Sequence, residues 1–240
     1  MKGLIKTEFF KLSKSLGYKI MISCALLIGL LYGALPVFYG SATTGYEMFM
    51  LMPSFLLLNA ILTSVFAAVF VGSEFAGRTF GMGILSGHSR RCVFLSKIVV
   101  FFTGLFPLVL LPVIASVFVV TIGNGFGMEV TVAAELVLLK QIFYFLLGCF
   151  AMGGFFLLIA SAAQNAVGTI GIGMGVIYVL MILTANIRNA LIVKLTFVYQ
   201  LNQLGNWESI SDGMFLGVML VTFVLTVAAA TGIFERTELK

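Results

Sequence analysis

One polar stretch, Glu74 to Lys97, holds Glu74, Arg78, His88, Arg90, Arg91 and Lys97 between two charge-free apolar runs. The chemistry open to them is narrow. His88 is the only histidine, so no histidine pair exists for a metal, and neither a Cys/His nor a Ser/His/Asp set can be assembled at one shared depth. Cys24 and Cys149 lie inside apolar runs and Cys92 inside the polar stretch. Three cysteines are too few for a disulfide framework and read as small buried hydrophobes. Gly72, Gly77, Arg78 and Thr79 come one substitution short of a phosphate-binding loop, with arginine in the place of lysine. Such a loop follows a strand in a soluble domain, whereas an apolar run precedes this one, so nucleotide binding by the chain is rejected. What remains is recognition. On a short helix, Phe80, Met82, Ile84 and Leu85 could fill a groove on a partner while Glu74, Arg78 and Arg90 pair at its rim. The opposing reading is a solvated loop that only satisfies topology.

The elements that would hold this stretch follow from composition. Apolar residues make up 61 % of the chain and charged residues 10 %, where a soluble domain carries about 25 % charged. That much apolar surface must face lipid. The fold class expected is all-α: a polytopic membrane protein of six transmembrane helices, both termini cytoplasmic, forming one domain over residues 1–240. Residues 1–19 form an interfacial amphipathic helix, because Ile5, Phe9, Leu12 and Leu16 make one apolar stripe, with Lys2, Lys6, Lys11 and Lys14 off it. No small-residue cleavage site closes the apolar run that follows, so it is not a signal peptide.

The spans are expected at 20–39, 48–73, 98–122, 141–160, 166–187 and 213–234, each long enough for a hydrocarbon core that takes about 20 helical residues. Pro107 and Pro112 should kink the third. Asn59 in the second should face the bundle and bond another helix, because a carboxamide is costly in lipid; helix packing is preferred to a substrate role for it. Gly171 and Gly175, four apart in the fifth, mark a face for close helix packing, within the subunit or between two subunits. Residues 188–212 form an extracellular loop, in which Leu191 to Tyr199 is apolar but too short to cross; it could dip back or lie along the surface. With the N-terminus inside, the cytoplasmic segments hold Lys2, Lys6, Lys11, Lys14, Lys19, Arg78, Arg90, Arg91, Lys97, Arg236 and Lys240, and the outer ones only Lys140, Arg188 and Lys194. The bias puts both termini and the 74–97 stretch in the cytoplasm and accounts for the basic balance without nucleic acid.

No expected span carries an Asp, Glu, Lys, Arg or His near its centre, which disfavours proton-coupled carriers and ion pumps. No inverted repeat is evident either. A transporter built this way would draw energy from a partner.

On these residues the chain resembles the permeases of the type-2 exporter class of ABC transporters. In that family the loop after the second span starts with an acidic residue and continues with Gly-Thr, Leu-Ser and Ser-Arg pairs and a lysine opening the third span. Here Glu74, Gly77 with Thr79, Leu85-Ser86, Ser89-Arg90 and Lys97 take those places, Arg78 intervening in the Gly-Thr pair. Glu8 and Lys11 are similar to the family's opening acidic-x-x-Lys segment, and Phe234 to Lys240 to its Phe-x-Arg-x-Asp-x-Lys close, with Glu238 for the aspartate. Size and low charge look most like bacterial members linked to lantibiotic immunity or bacitracin resistance. The resemblance implies a multi-pass protein of the bacterial plasma membrane. It would be a permease without an ATPase site, binding no cofactor. Its partners would be an ABC ATP-binding subunit that carries ATP and magnesium and contacts residues 74–97 and the N-terminal helix, and a second permease chain, identical or related. Its substrate would be an amphipathic peptide or drug. The alternative is a membrane-embedded receptor or assembly protein that moves nothing; an adjacent gene for an ATP-binding cassette would favour the first.

Overall fold

The computed structural model describes residues 2–77, 87–127, 132–186, 191–204 and 211–237. All regular structure among these is helical. Six helices are long and apolar enough to cross a membrane, so the chain is an all-α, multi-pass membrane protein.

Helix α1 (Lys2–Lys14) runs almost directly into α2 (Leu16–Phe38), because Ser15 between them accepts a hydrogen bond from the Tyr18 amide and restarts the helix. The first span thus begins at Leu16 rather than at residue 20, and Leu16 leaves the α1 stripe to which the sequence assigned it. Beyond α2, Thr44 and Glu47 form a capping box that opens α3 (Gly45–Met50). The expected second span is broken here. A 3-10 turn over Met52–Phe55, with Pro53 near its start, separates α3 from α4 (Leu56–Ala67). Proline has no N–H and crowds the preceding turn, which fits its place at the start of this 3-10 turn, where the helix is interrupted. One π-helical turn (Ala68–Gly72) then leads into α5 (Ser73–Ala76).

The third span, α6 (Arg90–Asn124), starts at Arg90 and not at Ile98, with Ser89 as its cap. About two extra turns put Arg90, Arg91, Cys92 and Lys97 on a helix instead of in the loop. It remains helical through Pro107 and Pro112. The fourth and fifth spans are α7 (Val132–Ala163) and α8 (Ala166–Asn186), joined by a tight turn in which Gln164 has φ 53° and the Asn165 side chain accepts from the Gly168 amide. Of the expected outer loop, α9 (Leu191–Lys194) and α10 (Phe197–Gln203) are described. Segment α10 dips back into the bundle: Phe197, Val198, Gln200 and Leu201 are buried. Leu201 fills the notch left by Gly148, and the Phe197 ring lies 5.6 Å from that of Phe155. The sixth span is α11 (Asp212–Arg236).

Two parallel helix pairs build the bundle. Along α2 and α6, Tyr18 meets Gly104, Gly29 meets Pro112, Gly33 meets Ser116 and Val37 meets Gly123. Along α7 and α11, Lys140 meets Asp212, Tyr144 meets Phe215, Gly154 meets Thr226 and Gln164 meets Thr237. Helix α4 is the most enclosed span. The close glycine face is therefore Gly29/Gly33, where a Cβ would stand 2.5 Å from the carbonyl oxygens of Pro112 and Ser116. At Gly171 and Gly175 the space is open and both are exposed, so these two pack against nothing among the described residues. Gly173, between them, takes the Phe156 ring.

Candidate functional site

Four charged residues far apart in sequence meet at one end of the bundle. The Lys97 ammonium lies 2.8 Å from Glu8 Oε2 and 2.7 Å from Glu74 Oε2, and 4.4 Å from the centre of the Phe70 ring. Lys11 closes the set, 2.7 Å from Glu8 Oε1 and 3.7 Å from Glu74 Oε1. The Lys97 side chain is 2 % exposed, those of Glu8 and Glu74 13 % and 20 %, and that of Lys11 51 %. Two carboxylates thus face an ammonium that is almost wholly shielded from water. The node joins three elements: α1, the end of the second span and the start of the third.

Local structure explains the convergence. On α1 the inward face is Ile5, Glu8 and Leu12, with Leu12 buried and Ile5 packed on the core. The stripe Ile5, Phe9, Leu12, Leu16 is thus rotated, and Phe9, Phe10 and Leu16 are exposed, at 37 %, 62 % and 72 %. Glu8 can occupy the buried face because Lys97 awaits it there. The π-helical turn before Ser73 inserts an extra residue into the span and so changes the face on which Glu74 emerges. Burial works against a charged Glu8, but Lys97 and Lys11 outweigh it and hold the carboxyl below the usual glutamate range. Burial likewise opposes a charged Lys11, yet Glu8 and Glu74 hold its ammonium above the usual lysine range. Beside the node a cleft of about 130 Å³ lies between α1, α2 and the end of the second span, lined by Lys11, Ser15, Tyr18, Val69 and Glu74.

A second set of contacts ties the same end to the last span. Arg90 Nη1 donates to the carbonyls of Glu235 (3.3 Å) and Thr237 (2.9 Å), and Arg91 pairs with the Glu235 carboxylate. Phe94 stacks on Phe234 at 4.5 Å, and Phe75 meets the same ring edge-on at 5.8 Å. Gln164, in the turn between α7 and α8, donates to the Thr237 hydroxyl at 3.2 Å. The opposite end is held by the Asn124 side chain, which donates to the carbonyls of Ser41 (2.9 Å) and Thr43 (2.8 Å), and by the Lys140–Asp212 pair at 2.7 Å.

Of the residues the sequence singled out for partner contact, Glu74 and Arg90 are both engaged within the chain, Glu74 in the node and Arg90 on the backbone after α11. Arg78, Phe80, Met82, Ile84 and Leu85 lie outside the described residues. Gly72, first of the phosphate-loop lookalikes, is buried in the π-helical turn, where a Cβ would stand 3.1 Å from the Asn165 carbonyl; Arg78 and Thr79 lie outside the described residues. Asn59 is fully buried in the bundle. The meeting of Glu8 with Lys97 was not read from the sequence. Its one trace is a carboxylate on the apolar side of a lysine-rich helix, answered by a lysine at the head of an apolar run. No protein-family model matches the chain, and no curated protein matches it.

Proposed function

We propose that the chain is the membrane-spanning permease subunit of an ATP-driven exporter of the ABC type, moving an amphipathic peptide or antibiotic. In this reading the node end faces the cytoplasm of a bacterial cell. A separate ATP-binding subunit holds ATP and magnesium, and a second permease chain completes the pathway. The observation that supports it is the node. Residues marked by the resemblance at three places in the sequence, Glu8 with Lys11, Glu74 and Lys97, come together in one ion-paired cluster. A partner that pushes on residues 77–89 or on α1 acts on one rigid junction. The junction passes the displacement to the second span through Glu74, to the third through Lys97, and to the sixth through the Phe75–Phe234–Phe94 stack. Among the described residues Lys97 is the only buried charge, and it lies at the end of a span, where it serves coupling better than ion translocation.

The test is reconstitution with an ABC ATP-binding subunit from the same organism, identified by co-purification. Co-purification, ATPase rate and export of an amphipathic peptide are measured for the parent, for a deletion of residues 81–89, and for Phe80→Ala, Leu85→Ala and Arg91→Ala. The deletion abolishes all three. Phe80→Ala and Leu85→Ala uncouple hydrolysis from export more than Arg91→Ala, because apolar anchors carry more binding energy than exposed ion pairs. A deletion that changes nothing would sink the proposal.

A further inference from the structure

Neither packing nor the node accounts for the polar middle of the second span. Asn59 and Thr63 are 0 % exposed, and Asn59 Oδ1, Asn59 Nδ2 and Thr63 Oγ1 find no hydrogen-bond partner among the described residues. Three such atoms within one helical turn carry a large desolvation cost, since a buried donor or acceptor that has lost water and gained nothing is unfavourable. Neighbouring polar residues are not in this position: Ser64 donates to the Ile61 carbonyl and Ser116 to that of Val113.

Their place in the fold can be read from the contacts around them. Asn59, Thr63 and Phe66 are spaced i, i+4, i+7 on α4 and so share one face. Phe66 stacks on Phe101 of α6 at 5.0 Å and meets Tyr18 of α2 at 5.4 Å, so that face looks into the seam between α4 and the α2/α6 pair. Asn59 stands about 10 Å further toward the far end, the level of Leu108 to Leu111 on α6. Pro112 has no N–H there, which strips the Leu108 carbonyl of its helical donor. The Asn59 amide and the Leu108 carbonyl thus share a depth, with the Thr63 hydroxyl about 6 Å nearer the node, and together they offer the two to four polar partners a water takes.

The seam is closed unequally. On the node side stand Phe66, Phe70, Phe101 and Tyr18 in mutual ring contact, backed by the ion pairs of Lys97. On the far side the residue ahead of α4, Phe55, meets Tyr32 of α2 edge-on at 4.8 Å, and Phe55 belongs to the short 3-10 turn instead of a long helix. We propose that Asn59 and Thr63 form an interior site for water, entered from the far end when Phe55 parts from Tyr32. The closed seam is the state described by the structure; the open one hydrates the pair and gives the second span a polar face at mid-depth.

Thiol labelling tests this, because charged methanethiosulfonates react only with hydrated thiols. Cys24, Cys92 and Cys149 are first replaced by alanine, and single cysteines are placed at Asn59, Thr63, Ile61 and Ser41 in proteoliposomes with reagent on both faces. Ile61 faces outward from the same span at 43 % exposure, and Ser41 is exposed at the far end. Asn59→Cys and the nearly isosteric Thr63→Cys should label at between roughly a thousandth and a tenth of the Ser41→Cys rate, the population range of a minor open state. Ile61→Cys should be slower than both. Tyr32→Ala should speed labelling at Asn59→Cys, whereas Lys97→Met should not. Labelling at Asn59 and Thr63 no faster than at Ile61 would overturn the site. Acceleration by Lys97→Met instead of Tyr32→Ala would overturn entry from the far end. A separate reading comes from stability in the closed state. Asn59→Leu and Thr63→Val should hold or raise the melting temperature, and a fall in both would mean the pair is satisfied inside the closed bundle, which defeats the proposal.

Discussion

At the scale of single residues, Lys97 is the side chain on which this end of the molecule turns. It is enclosed by two carboxylates, so Lys97→Met leaves Glu8 and Glu74 facing each other with no cation buried between them. Breaking a buried pair in this way costs about 3–5 kcal/mol, read as a drop in the thermal midpoint of the purified protein. The triple change Glu8→Gln, Glu74→Gln, Lys97→Met removes the charges together and should recover most of the loss. Arg91→Ala, whose side chain is 73 % exposed in its pair with Glu235, should leave the midpoint nearly unmoved. The pH dependence of the node follows from Glu8 and Lys11. Glu8 is held below its ordinary 4.5, so its contribution is full above that value and is lost as pH falls through the lowered one. Lys11 is held above 10.5, so its contribution is full below that value and is lost as pH rises through the raised one. An environment-sensitive dye on Ser13→Cys of α1 should therefore give a flat signal across neutral pH with an acid limb and an alkaline limb, and Glu8→Gln should remove the acid one.

At the scale of elements, the glycines separate two kinds of helix face. A Cβ at Gly29 would meet the Pro112 backbone, which cannot step aside, so Gly29→Ala should destabilise by about 1–3 kcal/mol through overpacking. Gly171→Ala meets open space and should be neutral or gain up to about 1 kcal/mol from helix propensity. Thermal melts of the two variants side by side check the contrast. If a second permease chain covers the open face of α8, Gly171→Leu will leave the melt of the single chain unchanged and yet weaken the dimer, measured by light scattering in detergent. The same scale explains the broken second run and the long third helix. Pro53 and the Thr44–Glu47 box restart the helix at one end, and the Ser89 cap moves the start of α6 outward at the other.

For the whole molecule, the contacts sort the chain into two ends. Phe75, Arg90, Gln164 and Thr237 belong to the node end, and Ser41, Thr43 and Asn124 to the far end. Impermeant labelling of single cysteines at Lys14, Gly87 and Thr237 should give one sidedness, and at Ser41, Asn124 and Asp212 the other. On the proposed topology, which rests on the distribution of Lys and Arg, the first group would be the cytoplasmic one. A mixed pattern within either group would break the arrangement of the spans.

The sequence by itself determined the class, the six spans and the alternation of their ends, because a run of about 20 apolar residues has no soluble home and each crossing reverses direction. It also marked Glu8 and Lys11 as an acidic-x-x-Lys pair like that of the type-2 exporters, and Glu74 and Lys97 as the two ends of the central polar stretch. That the four touch was decided only by the tertiary structure. Their spacing along the chain, 89 residues from Glu8 to Lys97, carries no period that a local rule can read, and the π-helical turn shifts the face on which Glu74 emerges. The glycine pairs show the same limit. Gly29/Gly33 and Gly171/Gly175 have identical spacing, and only the neighbour each face meets decides which pair packs. The stranded state of Asn59 was likewise invisible in one dimension, since an unpaired amide is a statement about every residue around it.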